Sequence, residues 1–191
     1  MAEYRLHRPL WILLALATGL PGTASAQDEK KVEVAGGYSY MRDYDGDASF
    51  PRGWFASVAA DIAGPVAAVG EASGSYKSMG GLDIDLSMNI HTLLGGPRLR
   101  WETGRVAPYV QMLFGVARFE TTFELPEETL SAAQNHFTMV PGGGLDIPFS
   151  DRGAFRLGAA MRFIRTETFT PAGSEPYTFK EFHVTAGIAF R

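Results

Sequence analysis

The sequence predicts an all-β fold, an eight-stranded antiparallel up-and-down transmembrane β-barrel, on three observations. Apolar and polar residues alternate with period two in eight successive runs. The connections between the runs are alternately short and long. The polar set carries charges of both signs, which suits paired groups in a lumen and not a dry core.

A leader precedes the first run. Arg5 and Arg8 stand before an apolar stretch from Leu10 to Leu20, which Pro21 and Gly22 end. Ala24, Ser25 and Ala26 follow as a small-x-small cleavage pattern, so residues 1–26 read as a signal peptide and Gln27 as the new N-terminus. The apolar stretch is about half of the ~20 residues that a spanning helix needs. Residues 27–191 then form one barrel domain, and any membrane crossing within it is by strands. With 22 glycines and 12% aromatic residues the composition favours strands and tight turns. There is no cysteine, so the exported fold holds without disulfides. The formal net charge of −4, more negative without the leader, argues against nucleic-acid binding by bulk charge.

The first strand covers about 32–42, with Val34, Tyr38 and Tyr40 on the apolar face and Glu33 and Ser39 opposite. The second, about 53–63, opposes Trp54, Val58 and Ile62 to Phe55, Ser57 and Asp61. In the third, about 66–77, Ala68, Ala72 and Tyr76 oppose Glu71, Ser73 and Ser75. In the fourth, about 87–101, Met88, Ile90, Thr92 and Leu94 oppose Asn89, His91 and Leu93. Gly95-Gly96-Pro97 then reads as a bulge, because proline cannot donate to a ladder. Beyond it Leu99 and Trp101 face out, and Arg98 and Arg100 face in.

The fifth strand, about 106–119, opposes Val110, Met112, Phe114 and Val116 to Gln111, Leu113, Gly115 and Ala117. In the sixth, about 136–147, Phe137, Met139, Leu145 and Ile147 oppose His136, Thr138 and Asp146. Its Gly142-Gly143-Gly144 run suits strong curvature. The seventh, about 154–165, alternates Phe155, Leu157 and Phe163 with Arg156 and Arg162. The eighth, about 179–190, sets Phe182, Val184, Ile188 and Phe190 against Glu181, His183 and Thr185.

Short turns are expected at 64–65, 102–105 and 150–153, and long polar loops near 43–52, 78–86, 120–135 and 166–178. An even strand count puts both termini on the periplasmic side and the long loops outside. Two aromatic girdles follow: Tyr40, Trp54, Tyr76, Phe137 and Phe163 at the outer rim, and Trp101, Tyr109, Phe155 and Phe190 at the periplasmic rim.

The stretches GGYSYMR (36–42), GPRLRW (96–101), APYVQMLFGVAR (107–118), GGGLDIPFSDRGAFRL (142–157) and VTAGIAFR (184–191) resemble the small OmpA-like or OmpX-like "porin family" outer-membrane barrels. The resemblance implies eight strands, assembly into the bacterial outer membrane and surface loops. Such barrels often end on an aromatic residue that the assembly machinery reads, whereas here Phe190 is penultimate and Arg191 last.

The expected lumen network comprises Glu33, Asp61, Glu71, His91, Arg98, Asp146, Arg156, Arg162, Glu181 and His183. His183 and Thr185, with Glu181 on the same face, resemble the His and Ser of lipid A deacylases, but threonine replaces serine and the rest of that motif is missing. No catalytic residue, cofactor or metal site is expected. His91, His136 and His183 have no spacing that shows convergence on a metal. Asp43, Asp45 and Asp47 have a calcium-like spacing without the rest of an EF-hand. The reading is a non-catalytic outer-membrane barrel with a structural or surface-interaction role, its lumen plugged by paired charges. A narrow pore for ions or small solutes is the alternative, ahead of a lipid A-modifying enzyme. Expected partners are outer-membrane lipids, lipopolysaccharide, the barrel-assembly machinery and an extracellular ligand of the loops, with the barrel itself a monomer.

Overall fold

The computed structural model describes residues 31–44, 49–81, 84–124, 129–170 and 173–191. The expected leader (1–26), and Asp45 and Asp47 of the expected first loop, lie outside the described residues. Successive strands pair antiparallel around the wall: β1 (Val32–Asp43), β2 (Ser49–Phe50), β3 (Arg52–Ala63), β4 (Val66–Gly81), β5 (Ile84–Arg100), β6 (Ala107–Glu124), β7 (Thr129–Pro148), β8 (Gly153–Thr170) and β9 (Gly173–Phe190). β2 and β3 are one barrel strand interrupted at Pro51, so the barrel has eight. Proline has no N–H to give the ladder, and the Tyr38 hydroxyl donates to its carbonyl. β1 closes the sheet on β9, from Val34↔Phe190 to Asp43↔Glu181.

The period-two pattern becomes an inside-out cross-section. Val34, Val58, Leu93, Val116, Leu157 and Phe155 lie on the exposed outer surface. Arg98, Asp146, Arg156, Arg162 and Glu181 are buried within. In water such an arrangement would be unstable on both counts; a bilayer around the wall reverses the sign of both. The chain is a transmembrane barrel. Its interior also has an apolar cluster, Ala59, Val69, Leu94, Leu113 and Val140.

The periplasmic turns are tight. Gly64 (φ 52°) and Gly104 (φ 87°) occupy the left-handed region that side-chain-bearing residues avoid. At the third turn the Gly153 amide donates to Ser150 Oγ at 2.9 Å.

Three expectations are corrected. The segment 95–97 holds no bulge: β4 and β5 keep one register from Val66↔Leu99 to Gly81↔Ile84. The faces of residues 88–94 are therefore the reverse of those expected, with Ile90, Thr92 and Leu94 buried. A single parity running through Pro97 makes both halves of β5 consistent, and proline's missing donor is met by a gap in the ladder to β6 between Gly95 and Arg98. Second, Tyr109 is buried in the lumen and is no part of the periplasmic girdle. Third, most of the expected outer loops are strand. β6 to β9 are 18 to 20 residues long, so at ~3.4 Å per residue and a tilt of ~40° they reach about 45 Å along the membrane normal, against an apolar band of ~25 Å. The excess stands above the outer surface as paired ribbon.

Candidate functional site: the charged lumen

Glu33, the second residue of β1, points inward and is met by four guanidinium groups. Arg98 Nη1 and Arg156 Nη2 donate to its Oε1 at 3.0 and 2.5 Å. Arg100 Nη1 and Arg191 Nε donate to Oε2 at 3.1 and 3.0 Å. The β1–β5 contact spans the lumen from one wall to the other, since the two strands are not neighbours in the sheet. Arg156 also grips Asp146 with two bonds of 2.7 Å, because β7 and β8 pair these residues directly. Such fork-on-carboxylate geometry is the strong form of a charged hydrogen bond.

Tyr109 lies between the arginines. Its ring centre is 4.6 Å from the Arg98 guanidinium carbon and 5.0 Å from that of Arg156. Glycine makes this possible: a Cβ on Gly144 would meet the Tyr109 hydroxyl at 2.6 Å, and one on Gly158 would meet it at 2.9 Å. The triple-glycine run thus makes room for an aromatic side chain as well as bending the strand. Arg98 also donates from Nε and Nη2 to Gln111 Oε1, at 2.9 and 2.8 Å.

A second cluster lies nearer the outer mouth. Arg162 pairs with its cross-strand neighbour Glu181 at 3.2 Å and reaches Met41 Sδ at 3.2 Å. Ser39 Oγ and His183 Nε2 are 2.5 Å apart. This is a hydroxyl–imidazole pair, with Ser39 fully buried and His183 nearly so. Among the described residues no three of His, Cys, Asp and Glu gather as metal ligands.

The predicted network residues thus divide. Glu33, Arg98, Asp146 and Arg156 form the periplasmic cluster; Arg162, Glu181 and His183 form the outer one. Glu71 lies between them and lines a cavity of about 20 Å³ with Arg98, Tyr109, Gln111, Arg156 and His183, room for about one water molecule. Asp61 is half-buried at the periplasmic end of β3 and belongs to neither cluster. His91 is a correction: it lies on the outer face, as the unbroken register of β5 requires. There Tyr76 meets it edge-on at 5.6 Å, and Trp54 Nε1 donates to the Tyr76 hydroxyl at 3.0 Å. His91 is therefore part of the outer aromatic rim.

Arg100, Gln111, Ser39 and Arg191 join the clusters although they are not in the expected network, and so does Tyr109, which was expected in the periplasmic girdle. Parity identifies all of these but Arg191, since each sits on the alternation's inner face. Arg191 follows the last strand and has no such signal.

No protein-family model matches the chain, and no curated protein matches it. Solved structures do. Ail, the attachment invasion locus protein of Yersinia pestis, superposes with a TM-score of 0.60 at 16% identity, over 85% of this chain and 99% of Ail. Neisserial surface protein A matches with a TM-score of 0.60 at 10% identity, over 83% of this chain and 94% of its own. OprG from Pseudomonas aeruginosa matches with a TM-score of 0.51 at 14% identity, over 84% of this chain and 95% of OprG. At these identities the likeness establishes the fold, which is that of the small bacterial outer-membrane barrels.

Proposed function

We propose that this outer-membrane barrel is a non-catalytic surface protein whose lumen is plugged and whose extracellular ribbons make the contacts. The observation that carries the reading is Glu33 clamped by Arg98, Arg100, Arg156 and Arg191. Cross-lumen ties of this kind fill the little space that an eight-stranded wall encloses. A solute would have to break several charge-assisted bonds in a site with little water to replace them. The ribbons above the membrane give a paired, solvent-facing surface, where recognition can vary without disturbing the wall. Lipopolysaccharide around the apolar belt, insertion by the barrel-assembly machinery, export through the leader and a monomeric state belong to the same reading. Phe190 is half-exposed on the outer face, while Arg191 folds inward onto Glu33 and Glu102.

Single-channel recording in planar bilayers tests the plug. The expected trace is silent at neutral pH. Sustained, reproducible conductance would contradict it. Mass spectra of lipid A after overexpression are expected to be unchanged; a lost acyl chain would overturn the non-catalytic part.

A further inference from the structure

The periplasmic end of the lumen widens into a vestibule of about 710 Å³, within the usual range of small-ligand pockets. Its charged lining comes from separate parts of the chain. Lys31 precedes β1, Arg100 ends β5, Glu102 follows it, Asp151 and Arg152 lie in the turn between β7 and β8, and Arg191 follows β9. All of these lie at the end of the barrel that holds the short turns. Lys31, Glu102, Asp151 and Arg152 are exposed and make the rim, whereas Arg100 and Arg191 are partly buried. A smaller cavity of about 70 Å³, which shares Arg100, Asp151, Arg152 and Arg191 with the vestibule, reaches Glu33.

Backbone bonds hold the rim. The Arg191 amide donates to the Arg152 carbonyl at 2.9 Å, and the Asp61 amide to that of Lys31 at 3.2 Å. Charge is out of balance in the lining, where four cations face two carboxylates. Glu102 is already tied to Arg191 at 2.9 Å. Arg100 and Arg191 each give one nitrogen to Glu33 and keep further N–H groups to donate. Deeper in the lumen Arg156 and Arg162 each have a carboxylate from the neighbouring strand. At the rim, Lys31 and Arg152 make no side-chain hydrogen bond or ion pair among the described residues.

We propose that the vestibule binds a small water-soluble polyanion, a periplasmic solute carrying two or more phosphate or carboxylate groups. Guanidinium forks fit the paired oxygens of either group, and Lys31 adds a mobile point charge at the mouth. The volume exceeds that of one oxyanion, and cations stand both at the rim and beneath it, which favours a ligand with more than one anionic group. Arg100 and Arg191 are on the lumen side of the wall, where they reach Glu33. A dissolved solute meets them there, and the headgroups of the surrounding lipid do not. The site lies at the opposite end of the barrel from the outer ribbons. Its failure is read by titration and that of the plug by conductance, so the two readings stand or fall separately.

The test is isothermal titration of the folded protein in phosphatidylcholine nanodiscs, with pyrophosphate as the phosphate probe and citrate as the carboxylate probe. Saturable binding of one probe molecule per barrel is expected. Lys31→Gln with Arg152→Gln removes two cations that lie outside the Glu33 clamp, and is expected to weaken binding about tenfold by the loss of charge-assisted bonds. Arg165→Gln takes a charge from an exposed arginine of β8 far from the vestibule, and is expected to leave binding unchanged. Folding of each variant is read by heat-modifiability on a gel, and Arg152→Gln alone is the second variant should the double one misfold. The difference between the parent chain and the variant is expected to persist in discs that also contain phosphatidylglycerol. No saturable binding of either probe, equal weakening by Arg165→Gln, or a difference that vanishes when anionic headgroups are present would overturn the proposal.

Discussion

Glu33 is the residue on which the lumen's electrostatics turn. Four arginines hold it, and Asp146 shares Arg156 with it. Substitution by glutamine keeps the shape and removes the charge, leaving guanidinium groups without their shared partner. Removing one partner of a buried ion pair typically costs about 3–5 kcal/mol. Glu33→Gln is therefore expected to lower the stability of the folded barrel by about that amount, as read by urea unfolding in lipid vesicles. A loss within error of zero would mean that the cluster is solvated and each arginine finds another partner. Glu33, Arg98, Arg156 and Asp146 were legible from parity and the need for both signs. The clamp was not, because the alternation tells which way a side chain points and not which opposite strand it meets.

At the scale of the strand, β8 gives the sharpest contrast. Leu157 is exposed on the outer wall, and Arg156 next to it is almost wholly buried inside. Leu157→Arg puts a cation against the hydrocarbon and is expected to cost about 2–4 kcal/mol or to block insertion. Arg156→Leu leaves the outer face intact and acts by freeing Glu33 and Asp146. The two should separate in a folding assay by lipid dependence: the Leu157→Arg loss should shrink in thin bilayers, and the Arg156→Leu loss should not. Equal behaviour would contradict the assignment of faces. β8 was readable because it alternates without interruption. β5 was misread because Pro97 looked like a bulge; Leu94 and Ile90 are apolar residues that line the lumen's own apolar parts, so hydrophobicity alone pointed them outward.

For the whole molecule, eight strands, closure and the inverted cross-section were all legible, since a membrane barrel needs only alternation, turn signals and paired inner charge. The outer ribbons were taken for loops. Polar residues on both faces look like loop in sequence, and they remain paired strand here because each ribbon's ladder simply continues upward from the wall.

The central claim is that the charged face is inside and lipid surrounds the apolar one. Membrane fractionation with a heat-modifiability gel tests it most directly. The account predicts that the protein is recovered with the outer membrane and migrates faster before boiling than after. Recovery in the soluble periplasmic fraction, with no change of mobility on boiling, would contradict it.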